Sequence, residues 1–236
     1  MNRWEFTQAE LLYAWGQLRW DRIPAPLIVA PEVASMEQWE SMESELRLRF
    51  PVLQDPDLLP VLKIAADPDM SLTLVGRRGR RFRAYAAVTS DVAVTMVQRT
   101  GTDPDTAGNI LVQVGSPALV PKVFAMVAGD CPAGHVPSMV ETWERIEDDR
   151  PTSWMVRDEP LVADRIRELL ARPRTGFGHI EIRPDRHTDR PRLPRYISWF
   201  DVEGDGRYTY VRRYDDFHVD PCDTQRFRKL LSRLME

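Results

Sequence analysis

The segment YISWFDVEGDGRYTYVRRYDDFHVDPCDTQRFRKLLSRLM, residues 196–235, decides how this chain folds. It reads as strand, tight turn, two further strands and a capped amphipathic helix. Residues 196–202 and 208–213 alternate in polarity, the period-two signature of strands with one buried face. Between them, Glu203-Gly204-Asp205-Gly206 has turn chemistry, because Gly accepts positive φ and Asp bonds its own backbone. Asp220-Pro221 then opens a helix, the carboxylate as N-cap and the proline at the first helical position, where its missing N–H costs nothing. Phe227, Leu230, Leu231 and Leu234 recur at helical spacing and give that helix one apolar face.

The same plan recurs between residues 71 and 127. Strands over 71–76, 82–89, 92–99 and 110–115 lead into Ser116-Pro117, again a cap followed by proline, and a helix carrying Leu119, Val120, Val123, Phe124 and Val127. The expected fold class is therefore α+β: two quasi-symmetric halves, about 1–128 and about 138–236, each a mainly antiparallel sheet with packed helices, forming one domain. The Gly/Pro-rich stretch 129–137 is the seam. Upstream, Thr7-Gln8-Ala9-Glu10 is a capping box for a helix that buries Leu11, Leu12, Trp15 and Leu18. A second helix over 35–50, stopped by Pro51, carries a Met36, Trp39, Met42 and Leu46 stripe read as core. Short helices are expected over 58–66, 138–147 and 161–171, and a strand over 177–183. Residues 102–105 and 184–195 read as exposed loops.

With 236 residues, 43% of them hydrophobic, and seven tryptophans, the chain can bury a sizeable core. Its net charge of −4 argues against general nucleic-acid binding. No apolar run approaches the roughly 20 residues of a membrane span, and the N-terminus lacks a signal-peptide core, so a cytoplasmic address is expected. Cys131 and Cys222 form no CxxC and read as reduced structural thiols.

Phosphate loops, nucleophile elbows, HExxH helices and paired-cysteine zinc patterns are all missing from the sequence. Residues 201–206 imitate the start of a calcium loop, but position twelve is Arg212 where a bidentate glutamate is needed. His179 and Glu181 share a strand face, and two ligands do not make a metal site. They remain the candidates for an alternative reading as a small-molecule or metal-binding enzyme with a cleft between the halves. The sharpest exposed feature is Arg77-Arg78-Gly79-Arg80-Arg81. It serves either as a solvated hairpin turn that discourages edge pairing or as a contact loop, since arginine forks suit carboxylates and phosphates. An RNA-binding sheet that combines this loop with strand aromatics is a further alternative, opposed by the net charge. Trp199, Tyr208 and Tyr210 serve either the core or an interface.

Two segments resemble the EspG family of ESX secretion-associated proteins. The first is residues 4–29, with Thr7, Glu10, Trp15, Pro24, Pro26 and Leu27 on the family's positions. The second is the terminal block, through Asp201, Gly206, Arg207, Tyr208, Pro221, Asp223 and Leu230. The resemblance implies an actinobacterial, cytosolic chaperone of type VII secretion, without catalysis or cofactor, that binds PE–PPE-type heterodimers. In that family the tip of the PPE partner is gripped and the pair stays soluble until export. The family's contact surface uses the central sheet, the loop between two early strands and the C-terminal helices. The resemblance therefore implies partner binding by Arg77, Arg78, Gly79, Arg80 and Arg81, together with Trp199, Tyr208 and Tyr210. No nucleic acid, membrane or metal enters this reading, and the oligomeric state of the free chain, homodimer included, stays open.

Overall fold

The Thr7 hydroxyl accepts the Glu10 amide while the Glu10 carboxylate accepts the Thr7 amide, so the capping box starts α1 (Gln8–Gly16). The computed structural model describes residues 2–18, 20, 22–30, 33, 35–50, 55–101, 107–148 and 161–236. Ahead of α1 lies a strand that the sequence reading lacks, β1 (Arg3–Phe6). After it come α2 (Met36–Arg49), α3 (Leu58–Ala66), β2 (Met70–Arg78), β3 (Arg80–Thr89), β4 (Val92–Thr100), β5 (Ala107–Gly115) and α4 (Leu119–Ala128). The remainder is β6 (Met139–Thr142), α5 (Trp143–Glu147), α6 (Val162–Ala171), β7 (Arg174–Arg183), β8 (Arg195–Val202), β9 (Arg207–Arg213), β10 (Asp216–Pro221) and α7 (Thr224–Met235).

The ten strands form one antiparallel sheet in the order β1-β5-β4-β3-β2-β7-β8-β9-β10-β6. Strands β2 to β5 meander outward and β1 closes on β5; β7 to β10 meander the other way and β6 closes on β10. The two series meet where β2 pairs with β7.

Period-two alternation distributes the core over both faces. Ala84, Ala86 and Val88 of β3 and Ile197 and Trp199 of β8 face α4 and α7, which lie side by side over the sheet centre. Tyr85 and Ala87 face the opposite way, toward α1, α2 and α3. On that same side, Phe200 and Val202 of β8 pack with Ile146, Ile166 and Leu169 of α5 and α6. Strands covered on both faces explain the unbroken apolar run at residues 84–88.

Two glycines permit the central junction. Gly76 and Gly178 face each other across β2 and β7, flanked in the same row by Phe82 of β3 and Trp199 of β8. A Cβ on Gly76 would lie 2.3 Å from the Phe82 ring, and one on Gly178 would lie 2.3 Å from the Trp199 ring. Both rings therefore lean inward over bare backbone and stack, 6.3 Å between centroids and 14° apart. Phe227 of α7 meets Trp199 edge-on at 5.1 Å. Beside them, fully buried Arg207 grips Asp201 through Nε and Nη2 at 2.7 and 3.0 Å. The same Nη2 donates to the Ala128 and Gly129 carbonyls at the end of α4, and the guanidinium lies 5.3 Å from the Phe227 ring centre.

Several boundaries differ from the sequence reading. Asp220 and Pro221 end β10, and α7 is capped instead by Asp223, whose carboxylate accepts the Arg226 amide. Proline suits that place because β6 pairs with β10 only over residues 216–219, so Pro221, though opposite Tyr208 of β9, has no strand on its other side. Ser116 and Pro117 form a turn ahead of α4, which has no side-chain cap. Residues 139–142 are extended because they pair with β10, leaving only Trp143–Glu147 helical. Of the proposed α2 stripe, Leu46 is buried and Met42 packs against the core, but Met36 is 72% exposed. The expected Pro51 stop and the 102–105 loop lie outside the described residues.

Overpacking a tight site costs about 1–3 kcal/mol. Gly178→Ala is therefore expected to lower the thermal unfolding midpoint by several degrees, whereas Gly204→Ala, in an open turn at φ +71°, is strained without any clash. Asp201→Asn strands a buried guanidinium and is expected to cost about 3–5 kcal/mol in the same melting experiment.

Candidate docking face

The arginine hairpin is tighter than its sequence suggests. β2 runs through Arg78 and β3 restarts at Arg80, so Gly79, at φ +67°, is the whole tip. Arg77 pairs with Arg81 and Arg78 with Arg80. Alternation then sends the two pairs to opposite faces. Arg78 and Arg80 stand on the α4/α7 side. There the Arg78 guanidinium donates twice to the Asp130 carbonyl at 3.2 Å and sits 3.4 Å from Asp201 Oδ2. It covers Gly129 so closely that a Cβ there would meet it at 2.0 Å. Arg78 is a clasp within the fold. Arg77 and Arg81 share the other face with Thr73 and Val75.

That other face holds the candidate site. Helices α1–α3 cover one end of the sheet and α5 and α6 the other, while Val75, Phe177 and Tyr196, at its centre, belong to neither apolar cluster. They are 39%, 50% and 48% exposed. Their register sets them around His179: Val75 opposes it across β2 and β7, Phe177, opposite Arg77, precedes it by two residues on β7, and Tyr196 opposes Glu181, two residues beyond it, across β7 and β8. His179 sits among them, Nδ1 2.8 Å from Ser198 Oγ and its ring 5.3 Å from that of Tyr196. Burial pushes the His179 pKa below the ordinary imidazole range, and the nearby Glu181 carboxylate only partly opposes this. Glu181 accepts Arg183 Nε at 2.8 Å.

The three aromatics implied by the resemblance separate. Trp199 is buried against α7 and Tyr208 is buried against Phe200. The Tyr208 hydroxyl donates to Asp205 at 2.6 Å and accepts the Val136 amide at 3.0 Å, closing the 129–137 loop onto the β8–β9 turn. Neither ring presents a surface to a partner in this structure. Tyr210 is half-buried between Phe200 and Phe217 and borders the open strip, because it pairs with Ser198. Val75, Phe177 and Tyr196 were missed. Their signal was present in residues 177–183: if Ile180 and Ile182 face inward, Phe177 and His179 must face the other way.

As for other chemistry, His179 and Glu181 do share a face. Among the described residues, however, no three or more His, Cys, Asp or Glu side chains gather at metal-holding distance. Both thiols are free; burial pushes that of Cys222 up to about 11. No helix among the described residues is long and apolar enough to cross a membrane.

These features define an α+β protein with the open centre of a long antiparallel sheet, flanked by helices on the same side, as its candidate docking surface. The chain belongs to the EspG family, whose model matches residues 7–233. Among curated protein sequences none matches significantly. Fourteen chains of solved structures do. One is the type VII secretion system chaperone EspG5 of Mycobacterium tuberculosis, solved in complex with a PE25–PPE41 dimer. It aligns with a TM-score of 0.69 over 99% of this chain and 96% of its own, at 12% identity, a likeness of fold.

The depressed His179 pKa has a testable sign. Its titration, followed by heteronuclear NMR, is expected to have a midpoint below the usual value of about 6.5, and Glu181→Gln is expected to lower it further. Because the folded value lies below the unfolded one, this histidine's contribution to stability is present above the unfolded value and lost as pH falls through the folded one.

Proposed function

We propose that this chain is a cytosolic chaperone of type VII secretion that docks a PE–PPE-type heterodimer, through the PPE protein, on the open centre of its sheet. The observation that carries the reading is the group formed by Val75, Phe177 and Tyr196, partly exposed around His179 where this face lies outside both helix-covered apolar clusters. Large apolar side chains exposed close together on a folded surface mark an interaction site. Family membership and the fold shared with a PE25–PPE41-bound chaperone support the choice of partner. A helical pair with an apolar tip self-associates in water, and covering that tip keeps it soluble. Catalysis plays no part in this reading.

The binding set differs from the one implied by resemblance. Phe177, Val75 and Tyr196 form its apolar centre, Tyr210 its margin, and Arg77 and Arg81 its charged end. Gly79 sets the hairpin tip and Arg80 faces away. The halves 1–128 and 138–236 are proposed as repeats of one plan; the mirrored connections β1–β5 and β6–β10, each followed by a helix on the α4/α7 face, support this.

Co-expression with each PE–PPE-type pair of the same genome, followed by size exclusion with light scattering, is expected to yield a 1:1:1 complex with a restricted set of pairs. Failure with every pair, while the chain stays folded, overturns the proposal. With a binding pair in hand, Phe177→Ser combined with Val75→Ser is expected to weaken affinity at least about tenfold, the effect of ~1.4 kcal/mol. The melting midpoint should shift less than for a core substitution, because both side chains are already partly exposed. Arg78→Ser is expected to do the reverse.

A further inference from the structure

The open strip has a second charged end. At the far side from the hairpin, a pocket of about 660 Å³ lies between Trp20, residues 22–26 and strands β2, β3 and β7. Trp20, Arg22, Arg183 and Arg186 line it, with Glu181 as the one carboxylate among the described residues of the lining. Arg183 already engages that carboxylate, and Arg186 is anchored by its Nη1 on Ser71 Oγ and by its amide on the Asp69 carbonyl. The positive charge of Arg22 and Arg186 therefore shares the pocket with the 46%-exposed Trp20, without a carboxylate among the described residues of the lining assigned to it. From Ser71 at the pocket to Arg77 at the hairpin is six residues of one strand, ~20 Å at roughly 3.3 Å per residue.

We infer that the pocket is a second anchor of the same docking strip, so that the occupant is a partner segment with apolar side chains in the middle and carboxylates at both ends, about 20 Å apart. An arginine guanidinium beside an indole suits an acidic side chain carried on an apolar stem. A length of ~20 Å is about 13 residues of helix, which fits the 1.5 Å rise of a helix laid along β2 and β7. The inference rests on the reading of this face as a docking site, but it specifies the chemistry of the occupant independently of the PE–PPE class.

The test uses a fluorescein-labelled, stapled helical peptide of about 16 residues with Leu and Phe on one face and glutamate pairs at both ends. Anisotropy titration against the full chain at low salt is expected to show binding that weakens about tenfold in Arg22→Glu with Arg186→Glu, and comparably in Arg77→Glu with Arg81→Glu. Arg22→Glu alone, which leaves the Arg186 anchorage intact, should weaken it in the same direction. Replacing the glutamates at one peptide end by glutamine should abolish sensitivity to reversal at the matching end only. Absence of binding to the wild-type chain, or affinity indifferent to reversal at the pocket, overturns the inference. If the peptide binds as described while every PE–PPE pair fails, the two-ended strip stands and the choice of partner falls; if a pair binds while pocket reversal changes nothing for peptide or pair, the converse holds.

Discussion

Two bare stretches of backbone hold this fold together. Gly76 and Gly178, opposed across the β2–β7 junction, leave room for Phe82 and Trp199 to lean over the join and stack on one another. The aromatic pair presents a flat apolar floor, and α7 sets Phe227 on it edge-first. Arg207 then closes the arrangement from one side, its Nε and Nη2 on Asp201 and the same Nη2 on the Ala128 and Gly129 carbonyls at the end of α4. A charge buried this deeply is tolerated only because carboxylate, carbonyls and ring faces surround it. The strands of both series and the helices on the α4/α7 face thus converge on a few square nanometres.

That convergence explains why the residues carrying the family resemblance are not those of the candidate docking strip. Asp201 and Arg207 are the buried ion pair, and Gly206 is a glycine because a Cβ there would sit 2.6 Å from the Ala133 backbone. Tyr208 packs over Gly134 and fastens the seam loop. At the other end, Thr7 and Glu10 form the capping box, and the Trp15 indole donates to the Arg22 carbonyl where the chain reverses. Such residues are constrained by geometry at close quarters, so they leave a recognisable pattern in sequence. An exposed Phe177 or Tyr196 has no neighbour demanding that side chain.

Strand periodicity made most of the sheet legible, as did the capping chemistry of Thr7 and the apolar faces of α4 and α7. Local rules failed where pairing partners were distant in sequence. β1 is a strand because residues 110–113 lie beside it, and residues 139–142 are extended because β10 offers an edge. A propensity read from neighbours a few residues away cannot see either. The candidate site was half legible. The arginine cluster stood out as composition, but its division into an inward clasp and an outward pair depends on a register that only the turn at Gly79 reveals.

Joining the two series at β2 and β7 also decides where the sheet ends. Its outer rims are the four-residue strands β1 and β6, and β1 carries Arg3 and Glu5. An unsatisfied row of amides and carbonyls that short is a poor template for recruiting another chain edge-on. Ten strands are thereby assembled with hardly any adhesive border, which suits the docking proposed for the broad face and leaves the rims out of it.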